Sequence, residues 1–162
     1  MPFYVNQSTV GVDLNNVSDS AQFTLGQRVS GSQDTMWVYI EAANAISTGM
    51  VCSITTGFTA TPALTAAALT AANAYVVFPQ TAFTSGQFGW ACYHGNNVYI
   101  RVSGTTSLSG VLYVAVSSGL LHTTSASSTM AGVAMIANTS ATAVGQAVLA
   151  NLTWPKYINA GQ

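Results

Sequence analysis

The chain has 162 residues, of which 49% are hydrophobic and 10% aromatic but only 4% charged, where an ordinary soluble domain has about 25% charged residues. Its cations are Arg28, Arg101 and Lys156 and its anions Asp13, Asp19, Asp34 and Glu41, a net charge of -1. Three dispersed cations cannot neutralise the phosphates that nucleic-acid binding requires, an apolar chain of low net charge is not a disordered one, and the length suits one domain whose core needs neither disulfides nor a metal.

Ser, Thr, Asn and Gln make up about a third of the chain, so the polar surface is neutral and hydroxyl-rich. A near-neutral surface favours association, which predicts a subunit of an assembly and copies of itself among its partners. No membrane partner is expected: residues 42–100 carry no formal charge, yet Ser, Thr, Asn, Gly and Pro break the stretch well short of about 18 consecutive apolar residues. Met1 to Asn6 has neither the basic start nor the apolar run of a secretory signal.

In chain order, residues 1–22 are polar and irregular, with isolated apolar side chains that keep no helical period. They predict an extended arm, and the spacing Val10-Gly11-Val12-Asp13-Leu14 predicts that the arm lies against something. A β domain follows over 23–155 and a short tail over 156–162. Its first strong strand is Met36–Ala42, rich in aromatic and β-branched residues, and Met50–Ile54 follows a Ser-Thr-Gly turn. Thr61–Leu69 reads either as a short helix, with a capping Thr and Pro at its first position, or as a loop with extended pieces. Ala74–Phe78 is the next strand. Phe88–His94, then Gly95-Asn96-Asn97, then Val98–Val102 predicts a hairpin. Val111–Val116, Met130–Ala137 and Gln146–Leu152 complete the set, and the turn spacing predicts an all-β, single antiparallel sandwich or small barrel. An internal echo sets Val38-Tyr39-Ile40 beside Val98-Tyr99-Ile100, and Gly86-Gln87 with Ala91 beside Gly145-Gln146 with Ala150. It predicts a repeated strand-turn-strand unit.

Chemistry-bearing patterns are few. The phosphate-binding glycine loops and the G-x-S-x-G elbow are absent. A serine triad on His94 or His122 lacks an evident orienting carboxylate, since three of the four carboxylates precede the first strong strand. Asp13 and Asp19 read as turn-forming residues. Cys52, Cys92 and His94 fall short of the ligand number and spacing of a zinc site; the cysteines read as buried thiols, with a disulfide as the alternative. No cofactor and no metal are therefore expected. Arg28 is placed to pair with Asp34 or Glu41. The aromatic residues on strands read as core, with Trp37, Trp90 and Tyr99 as the residues of a sugar-stacking platform in an alternative reading.

The segments Phe23–Ala42, Phe83–Trp90 and Val148–Pro155 resemble the small capsid cement (decoration) proteins of tailed bacteriophages. The resemblance implies an all-β domain without enzymatic activity, made in the host cytoplasm and bound to the outside of the major capsid protein shell, with an extended terminal arm laid over neighbouring subunits. On that reading Phe3, Tyr4, Val10, Val12 and Leu14 act as apolar anchors on the partner or add a strand to its sheet. The cysteine pair has no counterpart in the resemblance. The alternative function is a carbohydrate-binding or host-adhesion module on the virion surface.

Overall fold

The computed structural model describes residues 12–62, 75–103, 112–114, 119–122, 128–136 and 144–159. Every regular element in them is a strand: β1 Val17–Ser18, β2 Arg28–Ser30, β3 Met36–Ala42, β4 Cys52–Ile54, β5 Thr59–Pro62, β6 Tyr75–Pro79, β7 Phe88–Ser103, β8 Leu112–Val114, β9 Leu121–His122, β10 Ser128–Met135 and β11 Val144–Asn159. The all-β expectation holds, with β3 at the predicted bounds. Of the Thr61–Leu69 segment, Thr61 and Pro62 end β5 and the remainder lies outside the described residues.

The pairing closes on itself twice. β3 pairs with β7, β7 with β6, β6 with β4 and β4 with β5, all antiparallel, and β5 returns to β3 in parallel. From β7 onward the same order recurs: β7 with β11, β11 with β10, β10 with β8 and β8 with β9 are antiparallel, and β9 returns to β7 in parallel. β7 is thus the last strand of one five-stranded barrel and the first of the next. Closure protects sheet edges that would otherwise template association. The echo in the sequence falls on equivalent register positions: Val38 faces Ala91 across the first β3–β7 seam, and Val98 faces Ala150 across the corresponding β7–β11 seam. The parallel closures match as well, Ala42 opposite Ala60 and Val102 opposite Leu121. What reads locally as a repeated strand-turn-strand unit is a repeated barrel circuit.

The predicted hairpin at Gly95-Asn96-Asn97 is a correction. These residues do not reverse the chain; they bend one continuous strand as it leaves the first circuit and enters the second. Gly95 (φ 128°) and Asn97 (φ 57°) take backbone angles outside the strand range, which is what a bulge requires. External partners hold the bend. Asn96 N donates to Gln33 O, Asn97 N to Asn151 Oδ1 and Asn97 Nδ2 to Gln33 Oε1. Turn-type residues supply the special dihedrals, but the tertiary partners on either side decide between reversal and bend.

Alternation sorts the core. Val38, Ile40, Ile54, Ala60, Val77 and Ala91 face the inside of the first circuit. Trp37, Tyr39, Phe78 and Trp90 project from its other face into a second cluster, continuous with Val98, Ile100, Leu121 and Ala150 of the second circuit. Leu14 joins that cluster, and Phe23 and Leu25 pack on it. Both faces of β3 are therefore buried. The rings of Phe23, Tyr39 and Trp90 meet with centroids 5.1–5.3 Å apart, two of the pairs edge-to-face and the third tilted, angles typical of favourable aromatic contacts.

Cys52 and Cys92 are free and buried. Burial raises both thiols, Cys92 from the ordinary value of 9.0 to about 12 and Cys52 further still. A raised pKa in the folded state stabilises the protein fully below the unfolded-state value and loses that contribution as pH rises towards the folded-state value. Above pH 9 each thiol is thus expected to cost about 1.4 kcal/mol of stability per pH unit. Urea midpoints measured from pH 8 to 10.5 should fall above pH 9, with a shallower fall in Cys92→Ala; a flat profile would contradict the burial of the thiols.

Candidate functional site: the mouth of the first barrel

At one end of the first circuit a cleft of about 110 Å³ opens between Arg28, Val38, Ile54, Phe58, Tyr75, Val77, Tyr93 and Trp154. Barrel mouths are frequent ligand sites because the strands end there and leave inward-facing side chains uncovered. The floor comes from Val38 on β3, Ile54 at the end of β4 and Val77 on β6, all inward-facing. Arg28 stands opposite Val38 in the β2–β3 register and so shares its face. Phe58 is carried by the β4–β5 turn, where its N–H donates to Thr55 O and its φ is 59°.

The rim is aromatic and bears one cation. The Arg28 guanidinium lies over the rings of Tyr93 and Tyr75, 5.5 and 5.9 Å from their centroids, contacts worth about 0.5–1 kcal/mol each where solvent reaches them. Tyr75 is an exposed aromatic at 59%. The Tyr93 hydroxyl is closed off from water without a well-formed hydrogen bond. Burial pushes that phenol up, and the nearby Arg28 charge opposes the shift.

Trp154 reaches this rim from the second circuit through a local irregularity. Ala131 pairs with Lys156 and Val133 with Leu152, so Gly132 alone faces the three residues Thr153, Trp154 and Pro155. Trp154 has φ 51° and Gly132 φ 75°, and a Cβ on Gly132 would run into the Thr153 carbonyl oxygen. The bulge turns the indole outward, 56% exposed, with its ring 4.8 Å from His94 in a stacked arrangement and 5.6 Å from Tyr93. Nothing in the sequence pattern singled out Tyr75 or Trp154; Trp-Pro after a strand signal was the available hint that Trp154 sits at a special backbone position.

The sequence-derived candidates distribute differently. Phe3, Tyr4 and Val10 lie outside the described residues. Val12 packs on the core and Leu14, 1% exposed, is part of it; Leu14 as a partner anchor is corrected, because its side chain is spent inside the chain's own domain. Residues 12–22 run along that domain, with Val17 and Ser18 paired to Gly89 and Phe88. A wider recess of about 230 Å³ lies among Val12, Asp13, Asn16, Ser18, Gln22, Phe23, Tyr39 and Trp90. Asp13 Oδ1 accepts from Asn15 N, the turn role expected of it, whereas Asp19 Oδ1 accepts from Gln87 Nε2, a long-range tie that the turn-forming reading did not foresee.

Trp37 and Trp90, proposed for a sugar platform, are 0% and 1% exposed, a correction: the N-terminal residues cover the face that would have presented them. Tyr99 is half-buried on β7. The expected Arg28 pairing is corrected too. The Asp34 carboxylate lies 3.4 Å from His94 Nε2, and Glu41 stands on β3 three residues beyond Val38, on the opposite face. His94 thus has a carboxylate on one nitrogen, but its Nδ1 is buried with no hydrogen-bond partner, where a triad would place a serine hydroxyl. Among the described residues no three of His, Cys, Asp and Glu gather as metal ligands, and no helix is long and apolar enough to cross a membrane.

No protein-family model matches the chain, and no curated protein matches it. Among solved structures, the fold is similar to one described as the crystal structure of head fiber gp8.5 N base in bacteriophage phi29, with a TM-score of 0.52 and 11% identity. The match covers 75% of this chain and 97% of that one. At this identity the likeness is one of fold: the chain is similar in architecture to the base of a bacteriophage head fiber over nearly the whole of that base.

Proposed function

We propose that the chain is a structural protein of a phage virion, a cement or decoration protein that sits on the outside of the head, binds the major capsid protein and stabilises the shell. The observation that carries this reading is the fold shared with nearly all of a phage head fiber base. The composition supports it. A surface built from Ser, Thr, Asn and Gln with 4% charged residues suits hydrogen-bonded and apolar contact with other protein, repeated over a shell so that weak single contacts add up. The role is structural and non-enzymatic, with copies of itself as further neighbours. Phe3, Tyr4 and Val10 are the proposed arm anchors.

Heads lacking the protein are expected to release their genome at lower temperature than complete heads, and adding the purified chain back should restore the difference. Identical release curves with and without it would overturn the role. With so few ion pairs available, retention on the head should change little between about 0.05 and 0.5 M salt, since screening acts on charge–charge contacts. Dissociation by moderate salt alone would show that charged groups hold the contact.

A further inference from the structure

We infer that the mouth of the first barrel is a docking pocket for one apolar side chain that stands beside a carboxylate on a partner polypeptide. The pocket, of about 110 Å³, is smaller than the cavities that take drug-sized ligands and matches the insertion of a single anchor side chain. Its floor of Val38, Ile54 and Val77, with Phe58 beside them, offers no hydrogen bond. A sugar ring seated there would strand its hydroxyl groups against aliphatic surface, which is costly; an apolar side chain would not.

The carboxylate follows from Arg28. In a chain with four carboxylates, none neutralises this guanidinium among the described residues: Asp34 faces His94, Asp19 holds Gln87, Asp13 caps its own turn, and Glu41 lies on the other face of β3. The guanidinium is instead steadied over Tyr75 and Tyr93 at the rim. A cation pre-positioned in that way loses less freedom on pairing, and a planar guanidinium matches a carboxylate in bidentate geometry. The third element is Trp154. A non-glycine residue held at φ 51° opposite a glycine that cannot accept a Cβ is a costly way to place an indole in solvent, and strain of this kind concentrates at binding sites. Here it sets an exposed aromatic wall over the pocket, next to the Tyr93 ring that the Arg28 guanidinium overlies.

The inference rests on the proposed role only for the partner being a polypeptide, and the two can fail separately. The test uses the full chain and capped hexapeptides carrying one Phe beside one Asp, titrated by calorimetry and by tryptophan fluorescence. Saturable binding is expected. Replacing Asp by Asn in the peptide, or Arg28→Gln in the protein, should weaken it by roughly tenfold. Arg28→Glu should lose the Asp peptide and gain a peptide with Lys in its place, a swap that misfolding could not produce. Trp154→Ala should weaken both pairings.

No saturable binding at millimolar peptide, equal binding of the Asp and Asn peptides, or preferential binding of glucuronic acid or a neutral oligosaccharide at the same site would overturn the inference. Peptide binding by a chain that does not bind heads would support the pocket and overturn the head role. Head binding by a chain that takes no such peptide would do the reverse.

Discussion

Replacing Trp90 by Ala should lower the free energy of unfolding by about 3–5 kcal/mol, the usual cost of emptying a large aromatic site in a packed core. Trp90 is 1% exposed and touches the rings of Tyr39 and Phe23, so the cavity left behind is lined by aromatic groups that β3 and the N-terminal segment hold in place. Since a domain of this size is stable by about 5–15 kcal/mol, the variant should unfold at markedly lower urea while keeping its strand signature in circular dichroism. Trp154→Ala is the matched control. That indole is 56% exposed, and its removal should change stability by about 1 kcal/mol or less. The pair of measurements separates a structural tryptophan from a displayed one; similar losses in both would contradict the division of the aromatic residues between core and rim.

That division explains what the sequence could and could not reveal. Strand content was legible because Met36–Ala42 and its successors are dense in Trp, Tyr, Val and Ile, and turn residues punctuate them at strand-length intervals. Alternation placed Val38 and Ile40 on one face of β3 and Trp37 and Tyr39 on the other. It could not say that both faces are buried, because the cover over the aromatic face comes from Leu14, Phe23 and Leu25, residues far from any strand signal. The aromatic platform was misjudged for that reason: residues N-terminal to β3 lie over it. The repeat was visible as matching tripeptides, but its extent was not. The register at Val38–Ala91 and Val98–Ala150 is a property of paired strands, and short dissimilar strands such as β5 and β9 complete the circuits with little shared sequence. The pocket was the least legible part. Arg28, Tyr75, Tyr93 and Trp154 come from four strands, and only the β10–β11 irregularity brings the last of them to the others.

The bend in β7 gives the second large effect. Gly95→Ala should destabilise the protein by about 3 kcal/mol or more, through two costs that fall on the same atom. Gly95 has φ 128°, where an L side chain is strained, and a Cβ there would lie 2.5 Å from the Thr35 Cα and 2.9 Å from the Asp34 carbonyl oxygen. These are backbone atoms of the turn that precedes β3. That turn is itself fixed: Thr35 is 1% exposed, its hydroxyl donates to Ser32 O, and Trp37 Nε1 donates to it in turn. It therefore has little room to withdraw, and overpacking against a rigid neighbour typically costs about 1–3 kcal/mol on top of the backbone strain. Gly86→Ala isolates the first cost. Gly86 has φ 82° and nothing within 4 Å of an added Cβ, so its loss should stay near 1 kcal/mol. The difference between the two variants measures how hard β7 presses on the Ser32–Thr35 turn where the strand crosses from one barrel to the next. Were Gly95 the tip of a hairpin, as Gly-Asn-Asn alone implies, its Cβ would point into solvent and the two losses would be equal; a gap of about 2 kcal/mol is what a continuous strand requires.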